Sequence, residues 1–309
     1  GTYTPGSNRE DSFTVTGTQD GLEIYGGFAG TETSREERDP AATPTILSGD
    51  IDGDGTPSGN SYHVLVFDGG DRIGPDVGPN VTTATVLDGV TVTGGNANGS
   101  NSEQKQGGGL YCDGGGYGYN YGNECSPTLR GIAFTGNSAA GGGGAIYNNG
   151  LKGDSSPEIT NATFTGNSAD LGGGAIYNTA FEGTSSPQIT NATFTGNSAD
   201  RGGAIYNSYG FYRSRSSPRM VNTILWGNTA DKGPQVFNAD GATPTFAYSL
   251  IEGSGGSGSS WDGGLGTDRG GNLDADPLFT DASTPEGADG VFGTPDDGLQ
   301  LQPTSPATD

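Results

Sequence analysis

From Ser126 to Asn238 the apolar residues recur in fixed columns, with neither a helical period nor a simple alternation. Ser126-Pro127, Ser156-Pro157, Ser186-Pro187 and Ser217-Pro218 repeat at spacings of 30, 30 and 31. Apolar positions follow at Leu129, Ile159, Ile189 and Met220, then at Phe134, Phe164, Phe194 and Leu225, then at Ile146, Ile176 and Ile205. The last column lies within Ala-Ile-Tyr-Asn units and degenerates at Gln235-Val236-Phe237-Asn238. Upstream, the run Leu87 to Gly95 aligns with Leu129 to Asn137, and Gly109 to Cys112 aligns with the Ala-Ile-Tyr-Asn units. In the unit after Pro157, Glu158 to Thr160, Ala162 to Thr165 and Ala175 to Tyr177 read as strands, separated by Asn161, Gly166-Asn167 and Gly172 to Gly174 as turns. Three short strands without a helix cannot form βαβ units. They can form one coil of a solenoid in which each strand pairs in parallel with its counterpart one repeat later.

The predicted fold is therefore all-β, a parallel β-helix of about 30 residues and three short strands per coil. About ten coils at ~4.8 Å each give a rod of roughly 50 Å. Residues 1–309 read as one domain: irregular N-terminal coils with insertions over 1–125, regular repeats over 126–238, and degenerate C-terminal coils over 239–309.

Composition alone points the other way. Of 309 residues, 60 are Gly and 17 Pro, while Leu, Ile, Val and Phe sum to only 50, and the net charge is −23. For a globular chain that is a disorder signature. The columns resolve the conflict, because one apolar residue per strand per coil becomes a continuous interior ladder once coils stack. Lys and Arg number only 13, which excludes a basic nucleic-acid surface, and no run has the length and apolarity of a membrane-spanning helix.

Asn148, Asn178, Asn207 and Asn238 end the Ala-Ile-Tyr-Asn strands and are read as a structural ladder, each amide bonding the next and the turn backbone. Asn161-Ala162-Thr163 and Asn191-Ala192-Thr193 match the glycosylation sequon, but ladder positions are the preferred reading. If Ile146, Ile176 and Ile205 point inward, alternation sends Tyr111, Tyr147, Tyr177, Tyr206 and Phe237 outward as an aromatic stripe, suited to sugar or protein contact unless loops cover it. Loop residues Tyr117, Tyr119, Tyr121, Tyr209 and Tyr212 lie nearby in sequence. Cys112 and Cys125 bracket one Gly- and Tyr-rich insertion. A disulfide at its neck would imply an oxidising, extracytoplasmic compartment.

The repeated Gly-Gly-Ala-Ile at Gly143 to Ile146, Gly173 to Ile176 and Gly202 to Ile205 occurs with Phe-x-x-Asn at Phe134/Asn137, Phe164/Asn167 and Phe194/Asn197. This pairing resembles the motif of polymorphic outer-membrane proteins and related bacterial surface β-helix proteins. Ile24 to Ser34, Leu47 to Gly55, and Asp276 to Phe279 through Leu301 to Ala307 resemble secreted bacterial right-handed β-helix proteins more widely. The resemblance implies a secreted or cell-surface location and a longer polypeptide, with a signal peptide upstream and an anchoring or secretion module downstream.

Acidity comes from 25 Asp against 11 Glu, with only three Lys. Solubility, adaptation to high salt and calcium binding all fit that balance. Asp50, Asp52 and Asp54 with Gly55 reproduce positions 1, 3, 5 and 6 of a calcium loop, although position 12 is Ser61; Asp289, Asp296 and Asp297 form a second candidate. Calcium is the only cofactor suggested. Parallel β-helices also carry polysaccharide lyases and hydrolases, whose sites need a base or converging carboxylates. No cluster of unlike charges interrupts the regular coils, the single histidine His63 has no matching partner, and Arg213, Arg215 and Arg219 read as loop charge. The expected function is a non-enzymatic extracellular structural or adhesive surface protein, assembling into a filament or sheath and partnered by itself, other surface proteins or polysaccharides. The alternative is a carbohydrate-active β-helix enzyme or glycan-binding module.

Overall fold

The computed structural model describes residues 1–70, 79–116, 122–209, 214–239 and 241–308. The strands of its three sheets, of twelve, seven and five strands, all pair in parallel, and an isolated antiparallel bridge joins Phe279 to Leu301. The first sheet is built on Thr128–Thr135, Glu158–Thr165, Gln188–Thr195 and Arg219–Trp226. The second holds Leu110–Asp113, Ile146–Asn149, Ile176–Ala180, Ile205–Tyr209 and Val236–Asn238. The third contains Ser138–Ala139, Ser168–Ala169, Ser198–Arg201 and Thr229–Lys232. Once per coil the chain passes through the first sheet, then the third, then the second, which makes a parallel β-helix.

Register follows the sequence columns. Phe134 pairs with Phe164 and Phe164 with Phe194, while Ile146 pairs with Ile176 and Ile176 with Ile205. The upstream alignment is matched residue for residue, since Leu87 pairs with Leu129, Val92 with Phe134 and Leu110 with Ile146. The phenylalanine rings stack at centroid distances of 5.3 and 4.5 Å. These columns run through one continuous core along the rod axis. Each fully buried Phe, Leu or Ile contributes about 1.5–3 kcal/mol, and stacking lets three such residues per coil suffice.

Three details differ from the sequence reading. The stretches 158–160 and 162–165 form one eight-residue strand, bent at Asn161 where φ is 53°. Asn tolerates that left-handed conformation and Asn191, Asn222 and Gly131 repeat it. The third strand of the coil is the Ser-Ala pair, too short and too weakly β-forming to be marked by propensity. Finally, the solenoid ends early. Its last parallel pairing joins Leu250 to Leu273, and 274–308 add no further rung to the sheets. Residues 274–308 instead fold back on the outer face of the first sheet. There Phe292 shares a cleft with Ile132 and Asn161, and Leu301 and Pro306 share one with Asn222 and Tyr248. Nine strands succeed one another along the first sheet, a rod of roughly 40 Å.

The Gly-Gly-Ala-Ile turn has a steric cause. Gly143, Gly173 and Gly202 take φ of 69°, 61° and 62°, and a Cβ at each would lie 2.2 to 2.3 Å from the carbonyl oxygen of Ile146, Ile176 or Ile205.

Candidate functional site

The second sheet carries most of the predicted site residues. Along Ile146–Asn149, Ile146 and Asn148 face inward and are fully buried, whereas Tyr147 lies on the opposite side. The asparagine column is therefore an interior ladder. The Nδ2 of Asn148, Asn178 and Asn207 each donates to the Oδ1 of the next asparagine at 2.8 Å, and Asn238 Nδ2 donates to the carbonyls of Gly264 and Leu265 at 2.9 Å. The ladder is polar, running donor to acceptor toward the C-terminal end. At its head Asn148 Oδ1 is buried without a donor, because the residue in register above it is Cys112.

Sequence reasoning named Asn137, Asn167 and Asn197 only as part of a motif and missed that they form a second buried ladder. Asn137, Asn167 and Asn197 donate through Nδ2 to the next Oδ1 at 3.1, 2.9 and 2.9 Å. Each of these amides also donates to a strand carbonyl one coil back: Val92, Phe134 and Phe164 respectively. Their spacing was the available signal, since they recur at the same period as the ladder that was found. A third row, Asn161, Asn191 and Asn222, is exposed and bonded in the opposite sense, the Nδ2 of Asn191 and Asn222 each donating to the asparagine one coil back, which places both sequon asparagines at ladder positions.

The aromatic column is a continuous stack. Tyr111, Tyr147, Tyr177, Tyr206 and Phe237 follow one another at centroid distances of 5.6, 5.2, 4.5 and 5.2 Å, and His63 lies against Tyr111 at 5.5 Å. The expected open stripe needs correction. Tyr111 is buried and the other four are half-buried, because the rings stack face to face along the column. The rings are also seated on glycine: a Cβ on Gly142 would lie 2.3 Å from Tyr177, and one on Gly172 2.7 Å from Tyr206. Burial pushes the Tyr147 phenol well above its ordinary value, with the neighbouring Tyr177 adding to the shift. Burial pushes Tyr177 up to about 12. Tyr117, Tyr119, Tyr121, Tyr212 and Arg213 lie outside the described residues.

Cys112 and Cys125 form a disulfide with both sulfurs in the core and a Cα–Cα distance of 5.7 Å. Next to it, Glu124 and Asp154 are in bridge register. Burial raises both carboxyls, and for Glu124 the charge of Asp154 adds to the rise.

The two acidic loops differ. Ligand atoms of Asp50, Asp52 and Asp54 lie within 4.8 Å of one another, the one such acidic trio among the described residues. Asp50 accepts the N–H groups of Gly53 and Gly55, which curls the loop around its carboxylate. Asp289, Asp296 and Asp297 are not gathered in this way. They surround the Thr294 hydroxyl, and Asp296 and Asp297 accept backbone N–H groups from Ala288 and Gly293. His63 Nδ1 bonds the Gly107 carbonyl at 3.0 Å. A cluster not foreseen lies on the first sheet, where Asp88 bridges Arg38 and Arg130 while Arg35, Arg38 and Arg130 approach the Tyr25 ring at 4.7 to 5.8 Å. Asp88 and Arg130 are paired strand residues of adjacent coils, whereas Tyr25, Arg35 and Arg38 come from the irregular N-terminal segment.

Three columns end at one place. Val236–Asn238 is the last strand of the second sheet, and Thr229–Lys232 the last of the third, whereas the first sheet runs further. The step leaves a cleft of about 520 Å³ lined by Asn228, Gln235, Phe237, Asn238, Glu252 and Asp262, with Val236 and Leu265 behind them. The second asparagine ladder continues here through Asn228 Nδ2 to Gln235 Oε1 at 2.7 Å, then through Gln235 Nε2 to Glu252 Oε2 at 2.8 Å. The aromatic stack ends on Phe237 and the first asparagine ladder on Asn238. No feature of the regular coils marks this site in the sequence, because it exists where the repeat stops.

Residues 131–149, 161–179 and 191–208 each match the Chlamydia polymorphic membrane protein (Chlamydia_PMP) repeat. The family resemblance seen in the Gly-Gly-Ala-Ile and Phe-x-x-Asn motifs is thus found independently. Each match runs from the bend of the long strand to the tyrosine-bearing strand, so one repeat supplies one rung to every sheet. No curated protein and no solved structure matches the chain.

Proposed function

We propose that the chain is a non-enzymatic extracellular rod of a bacterial surface, structural or adhesive in role. The observation that carries this reading is that each polymorphic-membrane-protein repeat coincides with one coil whose side chains are spent on ladders: Phe on Phe, Asn on Asn, Tyr on Tyr. A buried disulfide accords with an oxidising compartment. Self-association into filaments or sheaths would use strand edges left open at the ends of the rod, such as Phe13–Thr16, which begins the second sheet. Surface polysaccharides or other surface proteins are the alternative partners. Calcium at Asp50, Asp52 and Asp54 belongs to the same proposal. Calorimetric titration of Ca2+ tests it, with the heat of binding expected to vanish in Asp52→Asn.

The role is tested on intact cells of the source bacterium with an antibody to the chain, and on beads coated with the purified chain. Surface labelling and bead adherence to cells or matrix are expected. Depolymerisation of neutral or acidic polysaccharides by the purified chain, with calcium or chelator, would overturn the non-enzymatic reading. Labelling only after permeabilisation would overturn the surface one.

A further inference from the structure

We infer that the cleft at the end of the second sheet binds a saccharide ring, neutral or amino-substituted, with Phe237 as its stacking platform. The inference rests on the adhesive reading above and gives it a place and a ligand class.

Within the rod an aromatic ring has no free face, since each of Tyr147, Tyr177 and Tyr206 is stacked on both sides. A sugar cannot displace a neighbour in that column. Phe237 differs: it stacks on Tyr206, and among the described residues no further ring continues the column. Arg201 approaches Phe237 at 5.6 Å, but it comes from the preceding coil, at the column position that Gly172 holds beneath Tyr206. Phe237 lines the cleft, whose volume is within the range of about 300–1,000 Å³ of small-molecule sites. The axial C–H face of a pyranose is the natural complement of an unstacked aromatic face at a polar opening.

The polar groups around the ring are held in place. Glu252 Oε2 accepts both the Gly227 N–H and the Gln235 amide, so its carboxylate is fixed at the end of a hydrogen-bonded relay through Asn197 and Asn228. Asp262 is held by the Gly264 N–H. These are planar acceptors suited to sugar hydroxyls or an ammonium group. Among the described residues the charged groups lining the cleft are Glu252 and Asp262, and Arg201 is the one cation that approaches its platform ring. Two carboxylates against one guanidinium disfavour uronate and sulfated sugars relative to neutral or amino sugars.

The chain has two tryptophans, each next in sequence to a residue of this network: Trp226 precedes the Gly227 that donates to Glu252, and Trp261 precedes Asp262. Tryptophan fluorescence therefore reports on occupancy. Cellohexaose, hexa-N-acetylchitohexaose, its deacetylated amino form and hexagalacturonate serve as probes. Saturable binding is expected for at least one of the first three. Phe237→Leu, which keeps apolar bulk in the column, should weaken it about tenfold. Glu252→Gln should reduce the preference for the amino over the N-acetyl form, and it tests the site even if Phe237→Leu fails to fold. No saturable change with the first three, a preference for galacturonate, or binding unaltered in both variants overturns the inference. Beads that adhere equally with wild-type and Phe237→Leu protein overturn it while leaving the adhesive reading intact. Oligosaccharide binding without bead adhesion does the reverse.

Discussion

Asn178→Ala probes the interior ladder at its middle. The amide of Asn178 accepts from Asn148 Nδ2 and donates to Asn207 Oδ1, both at 2.8 Å, and all three residues are fully buried. Truncation leaves Asn148 Nδ2 and Asn207 Oδ1 without these partners. Each unsatisfied buried group costs about 1–3 kcal/mol, so the two together cost about 2–6 kcal/mol. A single water entering the vacated space would bring the loss to the lower end of that range. The matched control is Asn191→Gly. Asn191 makes two ladder bonds of nearly the same length, to Asn161 and from Asn222, but at an exposed position where water replaces them. Glycine keeps its φ of 54° free of strain, so the expected loss is below about 0.5 kcal/mol. Urea unfolding followed by circular dichroism measures both. A loss below about 1 kcal/mol for Asn178→Ala, or equal losses for the two variants, would refute the assignment of the energy to burial of the ladder.

Replacing both cysteines by serine opens the cross-link between Cys112 and Cys125 and should cost about 3 kcal/mol in the loop-entropy model, measured by urea unfolding with wild-type protein as reference. Both sulfurs are fully buried, so reductant should reach the bond only on the timescale of local opening, seen as slow thiol release in a labelling assay. In alkali the stack should fail before the rest of the rod. The phenol of Tyr177 is raised in the folded chain from 10.0 to about 12, so its contribution is complete below pH 10 and is lost as pH rises through about 12. Ultraviolet titration of tyrosinate should show a late group ionising together with loss of structure, and full reversible ionisation in folded protein by pH 11 would contradict it.

The repeat was legible because stacking makes it so. A residue that must match its counterpart one coil away recurs at the coil period, hence the Phe134, Ile146 and Asn148 columns and their register could be read from spacing alone. What spacing could not show is which way a residue points when both faces of a strand are packed. Tyr147 lies outside the coil yet is covered by its own neighbours, and Asn137 is as buried as Asn148 although both are polar. The cleft at Phe237 and the Tyr25 arginine cluster were illegible for a further reason. Both arise where the period is broken, from residues such as Arg38 and Asp88 that meet only because insertions fold back onto the rod.

The large negative charge has a structural explanation in the turns. Asp11 accepts the N–H groups of Ser7 and Asn8, Asp274 those of Gly253 and Gly255, and Asp268 those of Gly258 and Gly270 together with the Ser257 hydroxyl. A rod of short strands needs many turns, and aspartate closes them without a side chain to pack. This predicts a two-part acid profile. Bonds from the Gly258 and Gly270 N–H groups, then the Ser257 hydroxyl, lower Asp268 from 3.8 to about 2. Its contribution is therefore complete above about pH 4 and is lost as pH falls toward 2. Glu124 and Asp154 are shifted the opposite way by burial, so protonating them in mild acid favours the folded coil beside the disulfide. Between pH 7 and about 4.5 the rod should hold or gain stability. Below about 4 the loop around Trp261 should loosen first, because Asp268 ties Ser257 and Gly258 to Gly270 and Asn272 on either side of it. Tryptophan fluorescence against pH reads that step, and Asp268→Asn should remove its pH dependence. A fluorescence midpoint at pH 5 or above, or one unchanged in Asp268→Asn, would mean that the acidity of this chain serves something other than its turns.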